Sequence, residues 1–134
     1  MKEVDCELDL FCQVYMRLRP QLPIRHSEMA VLDILCVTSG PHTPVSLADA
    51  LRVSRPMVAA HLNALQTAGL ITRVSSPEDG RSVYVLPTKG GKKLYAEYHR
   101  ANQQVVAELS QKMGAKKFGT MVKLIAQANE ILSE

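Results

Sequence analysis

The chain has 134 residues, of which 46% are hydrophobic and only 4% aromatic, with no tryptophan. That length suits one compact domain, or one small domain with a helical accessory, and the apolar content excludes a disordered tail while leaving the core to aliphatic packing. The formal net charge is +3; no apolar run approaches the roughly 20 residues of a membrane span, and no basic-then-apolar leader starts the chain, so neither a membrane protein nor a secreted one is expected.

The first predicted element is a helix carrying Val4, Leu8, Phe11, Tyr15 and Leu18 at helical spacing, ended by Arg19-Pro20. Cys36, among Leu32, Leu35 and Val37, is expected to be buried packing. The stretch from Val45 to Arg73, VSLADALRVSRPMVAAHLNALQTAGLITR, then reads as a helix-turn-helix followed by the first strand of a wing. Ser46 is read as the N-cap of the first of these helices, with Asp49 completing an S-x-x-D start, and Leu47, Ala48 and Leu51 form its short apolar face. Val53-Ser54 makes the turn, Ser54 caps the second helix, and Pro56 sits near its start, where a missing amide costs little. Val58, Leu62 and Leu65 are expected to point into the core. The opposite face carries Arg55, Pro56, Met57, Ala59, Ala60, His61 and Asn63, small or polar residues that let a backbone approach closely. Gly69 is expected to end the helix in a left-handed conformation, with a strand over Leu70 to Val74.

Ser75 to Gly80 is dense in turn formers, and Ser82 to Leu86 alternates as a second strand, with Val83 and Val85 on one face. Arg81 lies at the tip of this hairpin or just past it. An arginine there can enter a minor groove, with Asp79 two residues earlier holding its guanidinium. An ordinary solvated turn has the same composition; coupling to the upstream helix pair is what favours the DNA reading. Thr88 to about Met113 is a long periodic run, with Leu94, Tyr98, Ala101, Val105, Leu109 and Met113 on one side. At 1.5 Å per residue it spans roughly 39 Å, too long to be covered by one small domain. Gly90-Gly91 weakens its first turn by about 1 kcal/mol per glycine. Gly114 breaks the run, and Phe118, Met121, Val122, Ile125, Ala128 and Leu132 mark a last helix.

Between Thr43 and Lys93 seven basic residues face three acidic ones, a local charge of +4 that leaves −1 for the rest. Positive charge thus gathers on the segment assigned to DNA, as counterion release requires, although a solvated basic face would look the same. The terminal helices have apolar stripes that need a partner; part of each is intramolecular core, and the simplest cover for the rest is a second copy on a two-fold axis. Such a dimer presents two recognition helices to major-groove turns roughly 10 base pairs apart, which predicts a pseudo-palindromic duplex site.

Several segments resemble one known family. Ile24 to Leu32 is similar to the opening of its second helix, and Val53-Ser54-Arg55-Pro56 with Leu62, Leu65 and Ala68-Gly69-Leu70-Ile71 to its recognition helix and exit. Ser76-Pro77-Glu78-Asp79-Gly80-Arg81-Ser82 resembles its wing, where an Asp-x-Arg recurs, and Leu86-Pro87-Thr88-Lys89-Gly90 the start of its long helix. Together these resemble the MarR (multiple antibiotic resistance regulator) family of winged-helix transcription factors. Two departures stand out: Pro87 occupies the place where a threonine commonly follows the leucine, and Ala60 stands where some members carry an arginine. The second shifts affinity toward phosphate contacts and the wing. The resemblance implies a ligand cleft between dimer helices and winged domain, for small aromatic or phenolic effectors. It also implies a possible oxidant sensor, because some relatives use a cysteine on the first helix, where Cys12 lies.

The three cysteines, an odd number without a leader, fit a reducing cytoplasm and no disulfide framework. The four histidines are scattered without paired ligand spacing, so no metal is expected. No phosphate-binding glycine loop and no nucleophile set are present, so neither a cofactor nor an enzyme is expected. The expected fold is mainly α with a small β-wing: a winged helix-turn-helix over residues 24–87, flanked by dimerisation helices over 1–20 and 88–134. The expected function is a dimeric regulator, in the family usually a repressor, that binds duplex DNA and is released by a small ligand. Its DNA-contacting residues would be Ser46, Ser54, Arg55, Pro56, Met57, Ala59, Ala60, His61, Arg73, Asp79 and Arg81. Two alternatives are oxidant sensing through Cys12 and a winged-helix protein-interaction module that does not read DNA.

Overall fold

The structure is a computed structural model that describes residues 2–78 and 80–133. Its elements in chain order are α1 (Lys2–Leu18), α2 (His26–Val37), α3 (Pro44–Leu51), α4 (Arg55–Thr67), β1 (Ile71–Ser75), β2 (Val83–Pro87), α5 (Lys89–Met113) and α6 (Ala115–Leu132). This is the expected class, helical with a two-stranded antiparallel sheet. The chain divides into two compact units: one holds the residues up to Gln21 and from Tyr98 onward, the other Leu22–Glu97. The division falls inside α5 rather than at its start.

The unit Leu22–Glu97 has a conventional core. Met29, Val31 and Leu32 of α2, Leu47 of α3, Val58, Leu62 and Leu65 of α4 and Val85 of β2 are fully buried, with Ile71 of β1 nearly so. Each such side chain contributes about 1.5–3 kcal/mol on leaving water. Val83 shares the face of Val85 as expected but is 37% exposed, because it lies nearer the hairpin tip, paired with Ser75.

Local capping sets the helix-turn-helix. Thr43, not Ser46, is the N-cap of α3: its hydroxyl accepts from the Ser46 amide at 3.1 Å, and the Ser46 hydroxyl accepts from the Thr43 amide at 2.9 Å. Ser46 is therefore the third helical residue, and Pro44 occupies the first turn, where proline is favoured. Arg52 takes a left-handed conformation (φ 58°) at the turn, a strain of about 1–2 kcal/mol for a residue with a side chain. Ser54 caps α4 as expected, accepting from the Met57 amide at 3.2 Å. Ser54→Ala is expected to lower stability by about 1 kcal/mol in urea denaturation.

Gly69 (φ 76°) closes α4 in a Schellman arrangement, its amide reaching Gln66 O at 3.0 Å while the Leu70 amide reaches Leu65 O at 2.9 Å. In the wing, Ile71 faces Pro87, Arg73 faces Val85 and Ser75 faces Val83. The Val85 amide also donates to His42 O at 2.9 Å, which ties the loop before α3 to β2. Thr88 starts α5: its hydroxyl donates to Gly69 O at 2.7 Å and accepts from the Gly91 amide at 3.1 Å. The helix runs unbroken through Gly90 and Gly91 despite their low propensity.

The other unit contrasts with this one. Of its described residues only Tyr98 is buried. The Tyr98 hydroxyl accepts from Arg19 Nη2 at 2.6 Å, with the guanidinium 5.8 Å from the ring centre. Phe11 and Tyr15 stack at 5.7 Å. Gly114 (φ 92°) turns the chain from α5 into α6, as expected. Among the described residues no helix is long and apolar enough to cross a membrane.

Candidate nucleic-acid interface

The second helix of the helix-turn-helix presents the face expected of it. Arg55, Pro56, Met57, Ala59 and Ala60 are exposed along the first half of α4, while Val58 and Leu62 on the other side are fully buried. His61 is half-buried and lines, with Met57, Ala60, Arg25 and Ser27, a groove of about 610 Å³ beside the start of α2. Ser54 sits at the helix entrance with its hydroxyl engaged in the cap. Ser46 lies in the first turn of α3, exposed, with its hydroxyl exchanging hydrogen bonds with the Thr43 backbone.

The basic residues occupy two different environments. Arg55 at the start of α4 and Arg81 in the wing turn are exposed. Arg73, on the face of β1 shared with Ile71, is half-buried and donates from Nη2 to Asn63 Oδ1 at 2.5 Å. It lines a groove of about 720 Å³ with Asn63, Gln66 and Thr67, all on the second half of α4. Asp79, expected to hold Arg81, lies outside the described residues. The turn of the hairpin is closed by Ser76, whose amide donates to Ser82 O at 2.8 Å and whose hydroxyl donates to the Tyr84 hydroxyl at 3.3 Å.

Reading residue types along the chain picked out Arg73 but not its setting. Asn63 was legible as part of the polar face of α4, whereas Gln66, Thr67 and Arg25 were passed over. The signal for Gln66 and Thr67 is their place on the exposed face continuing from Asn63, one turn nearer the helix exit.

The cysteines differ among themselves. Cys6 and Cys12 on α1 are exposed. Cys36, expected to be buried, is half-buried in the last turn of α2, beside the exposed Val37. Its thiol is pushed up from its ordinary value by burial first and then by Asp33, against the opposing pull of Lys92. Such a thiol is a poor thiolate and a poor redox centre. Among the described residues no group of three or more histidine, cysteine or carboxylate side chains is placed to hold a metal ion.

Comparison with known proteins gives this geometry its context. Residues 24–83 match the MarR family. Over 85 residues the chain is 29% identical to the HTH-type transcriptional regulator FarR of Neisseria gonorrhoeae, a match covering 63% of this chain and 58% of that protein. The fold superposes on Streptococcus pneumoniae FabT, solved in complex with DNA, with a TM-score of 0.75 at 23% identity over 98% of this chain and 92% of that one. It also superposes on NadR, solved with 4-hydroxyphenylacetate, with a TM-score of 0.73 at 23% identity over 95% of this chain and 89% of that one. The matched residues, fewer than half of the chain, run from the start of the helix-turn-helix unit through the wing turn, and the likeness of fold extends over nearly the whole chain: over that stretch the protein is similar to the MarR family, and it has the winged-helix fold of these solved structures.

Proposed function

We propose that this protein is a transcriptional regulator, a repressor, that works as a homodimer on a pseudo-palindromic duplex site. The carrying observation is the face of α4 from Arg55 to His61, on which Pro56, Ala59 and Ala60 are small and exposed between Arg55, Met57 and His61, flanked by an exposed arginine on the wing. A helix whose outer face is mostly small and polar can lie in a major groove, and an arginine on a hairpin tip can follow the adjacent minor groove. Arg55, Pro56, Met57, Ala59, Ala60 and His61 are the reading face, Ser46 and Ser54 the residues at the two helix entrances, and Arg73 and Arg81 the cationic contacts. FabT, of like fold, is known in complex with DNA, and FarR is a transcriptional regulator; both support this reading.

The dimer would be built by α1, α5 and α6, whose apolar side chains lack a cover of their own. The effector is a small organic molecule, the class that NadR holds as 4-hydroxyphenylacetate. A regulator of this kind works on DNA in the cytoplasm and performs no catalysis.

Arg81→Ala tests the reading. Duplex affinity is expected to fall about tenfold, with thermal stability unchanged because the side chain is exposed. Fluorescence anisotropy with duplex fragments selected from the source genome measures it. A protein that binds no duplex even at low salt would instead be a winged-helix interaction module.

A further inference from the structure

We infer that Arg73, with Asn63, Gln66 and Thr67, forms a phosphate clamp that grips the backbone of the bound duplex beyond the stretch that α4 reads. This rests on the DNA-binding reading and adds a contact to it. Arg73 is a half-buried cation, and no carboxylate of the described residues pairs with it. Its one hydrogen-bond partner among them is the Asn63 amide oxygen at 2.5 Å. Its Nε is shielded and has no acceptor among the described residues.

A half-buried guanidinium is stabilised by a counter-charge, and a neutral amide supplies none. What Asn63 supplies is position: it pins the cation of β1 against the second half of α4. Arg73 then lines a groove of about 720 Å³ whose other walls are a carboxamide (Gln66) and a hydroxyl (Thr67), with its terminal nitrogens rather than the shielded Nε available as donors. None of the four lining residues is acidic. Donors without a negative charge among them suit an anion with several acceptor oxygens, and arginine matches phosphate geometry well. The groove is formed by the recognition helix and the first wing strand. The phosphate nearest it is therefore one of the duplex lying against both. The half charge at the C-terminal end of α4 opposes an anion less than the full charge of Arg73 attracts it.

Asn63 is the informative position. Asn63→Asp would keep the tie to β1, and strengthen it, while cancelling the charge that the phosphate needs. A clamp and a purely structural tie thus give opposite signs. The test uses a labelled mixed-sequence duplex of about 30 base pairs, since backbone contacts do not depend on sequence. Affinity of the full chain is measured against salt concentration. Wild-type protein and Arg73→Lys, which keeps the charge, are expected to share one salt slope. Arg73→Gln and Asn63→Asp are each expected to flatten it by about one per protomer engaged and to weaken binding equally for all sequences. Asn63→Asp is expected to do so with a melting temperature at or above that of the wild type, so loss of fold cannot imitate the result. Unchanged slopes in Arg73→Gln and Asn63→Asp, with Arg81→Ala still weakening binding, would overturn the clamp and leave the DNA reading standing. Absence of wild-type binding at low salt would overturn both.

Discussion

Gly91→Ala is expected to destabilise the protein by about 3 kcal/mol, the upper end of what overpacking costs, whereas Gly90→Ala next to it should stabilise by about 0.5–1 kcal/mol. A Cβ on Gly91 would lie 2.1 Å from the Leu70 carbonyl oxygen, 3.2 Å from its carbon and 3.3 Å from Leu32 Cδ2. The first two are backbone atoms, and Leu70 O is already held by the Thr88 amide at 3.0 Å. It cannot give way without releasing the start of α5 from the core. At Gly90 the nearest atoms to a Cβ are 3.6–3.9 Å away, ordinary contact, so only the helix-propensity gain remains. Urea denaturation of the two variants, followed by circular dichroism, should show midpoints moved in opposite directions. A Gly91→Ala protein as stable as the wild type would mean that α5 does not pack on Leu70 at this distance.

The pair Leu8→Glu and Ile125→Glu should convert a dimer into monomers and lower operator affinity by about a hundredfold, through loss of simultaneous two-site engagement. The unit built from α1, the later part of α5 and α6 has little core of its own. Leu8 is 62% exposed and Ile125 42%. A groove of about 480 Å³ lined by Phe11, Tyr15, Leu109, Phe118, Val122 and Ile125 is almost wholly apolar. Helices short of tertiary packing are marginal in water, because propensity alone does not offset the cost of ordering the chain. A second copy supplies the missing cover with no further gene product. Sedimentation equilibrium distinguishes the outcomes. A wild-type protein that is monomeric at micromolar concentration, or a double variant that remains dimeric, would remove the dimer.

Much of the winged-helix unit was legible because it rests on short-range chemistry. Ser54, Pro56 and Gly69 mark the ends of α4, and Val58, Leu62 and Leu65 its inner face, through rules that operate within one or two turns. The misreading of Ser46 as a cap has the same origin: a serine before an apolar run satisfies the pattern, yet Thr43 with Pro44 satisfies it better and takes the role. Val83 and Val85 share one face of β2 as expected, yet only Val85 is buried. Alternation assigns a side to a residue, but only the distance from the helices decides whether that side is covered.

From residue order alone come the order of the helices, both ends of α4, its polar face and the resemblance to the MarR family, because each depends on neighbours a few residues apart. The folded molecule alone decides that Gly91 is a packing requirement rather than a weak start, and that Arg73 is pinned by Asn63 instead of projecting freely. It also decides which apolar side chains of α1 and α6 the chain leaves uncovered. These three depend on atoms 10 or more residues apart meeting within a few ångströms, and helical or strand periodicity carries no information about which segments will meet.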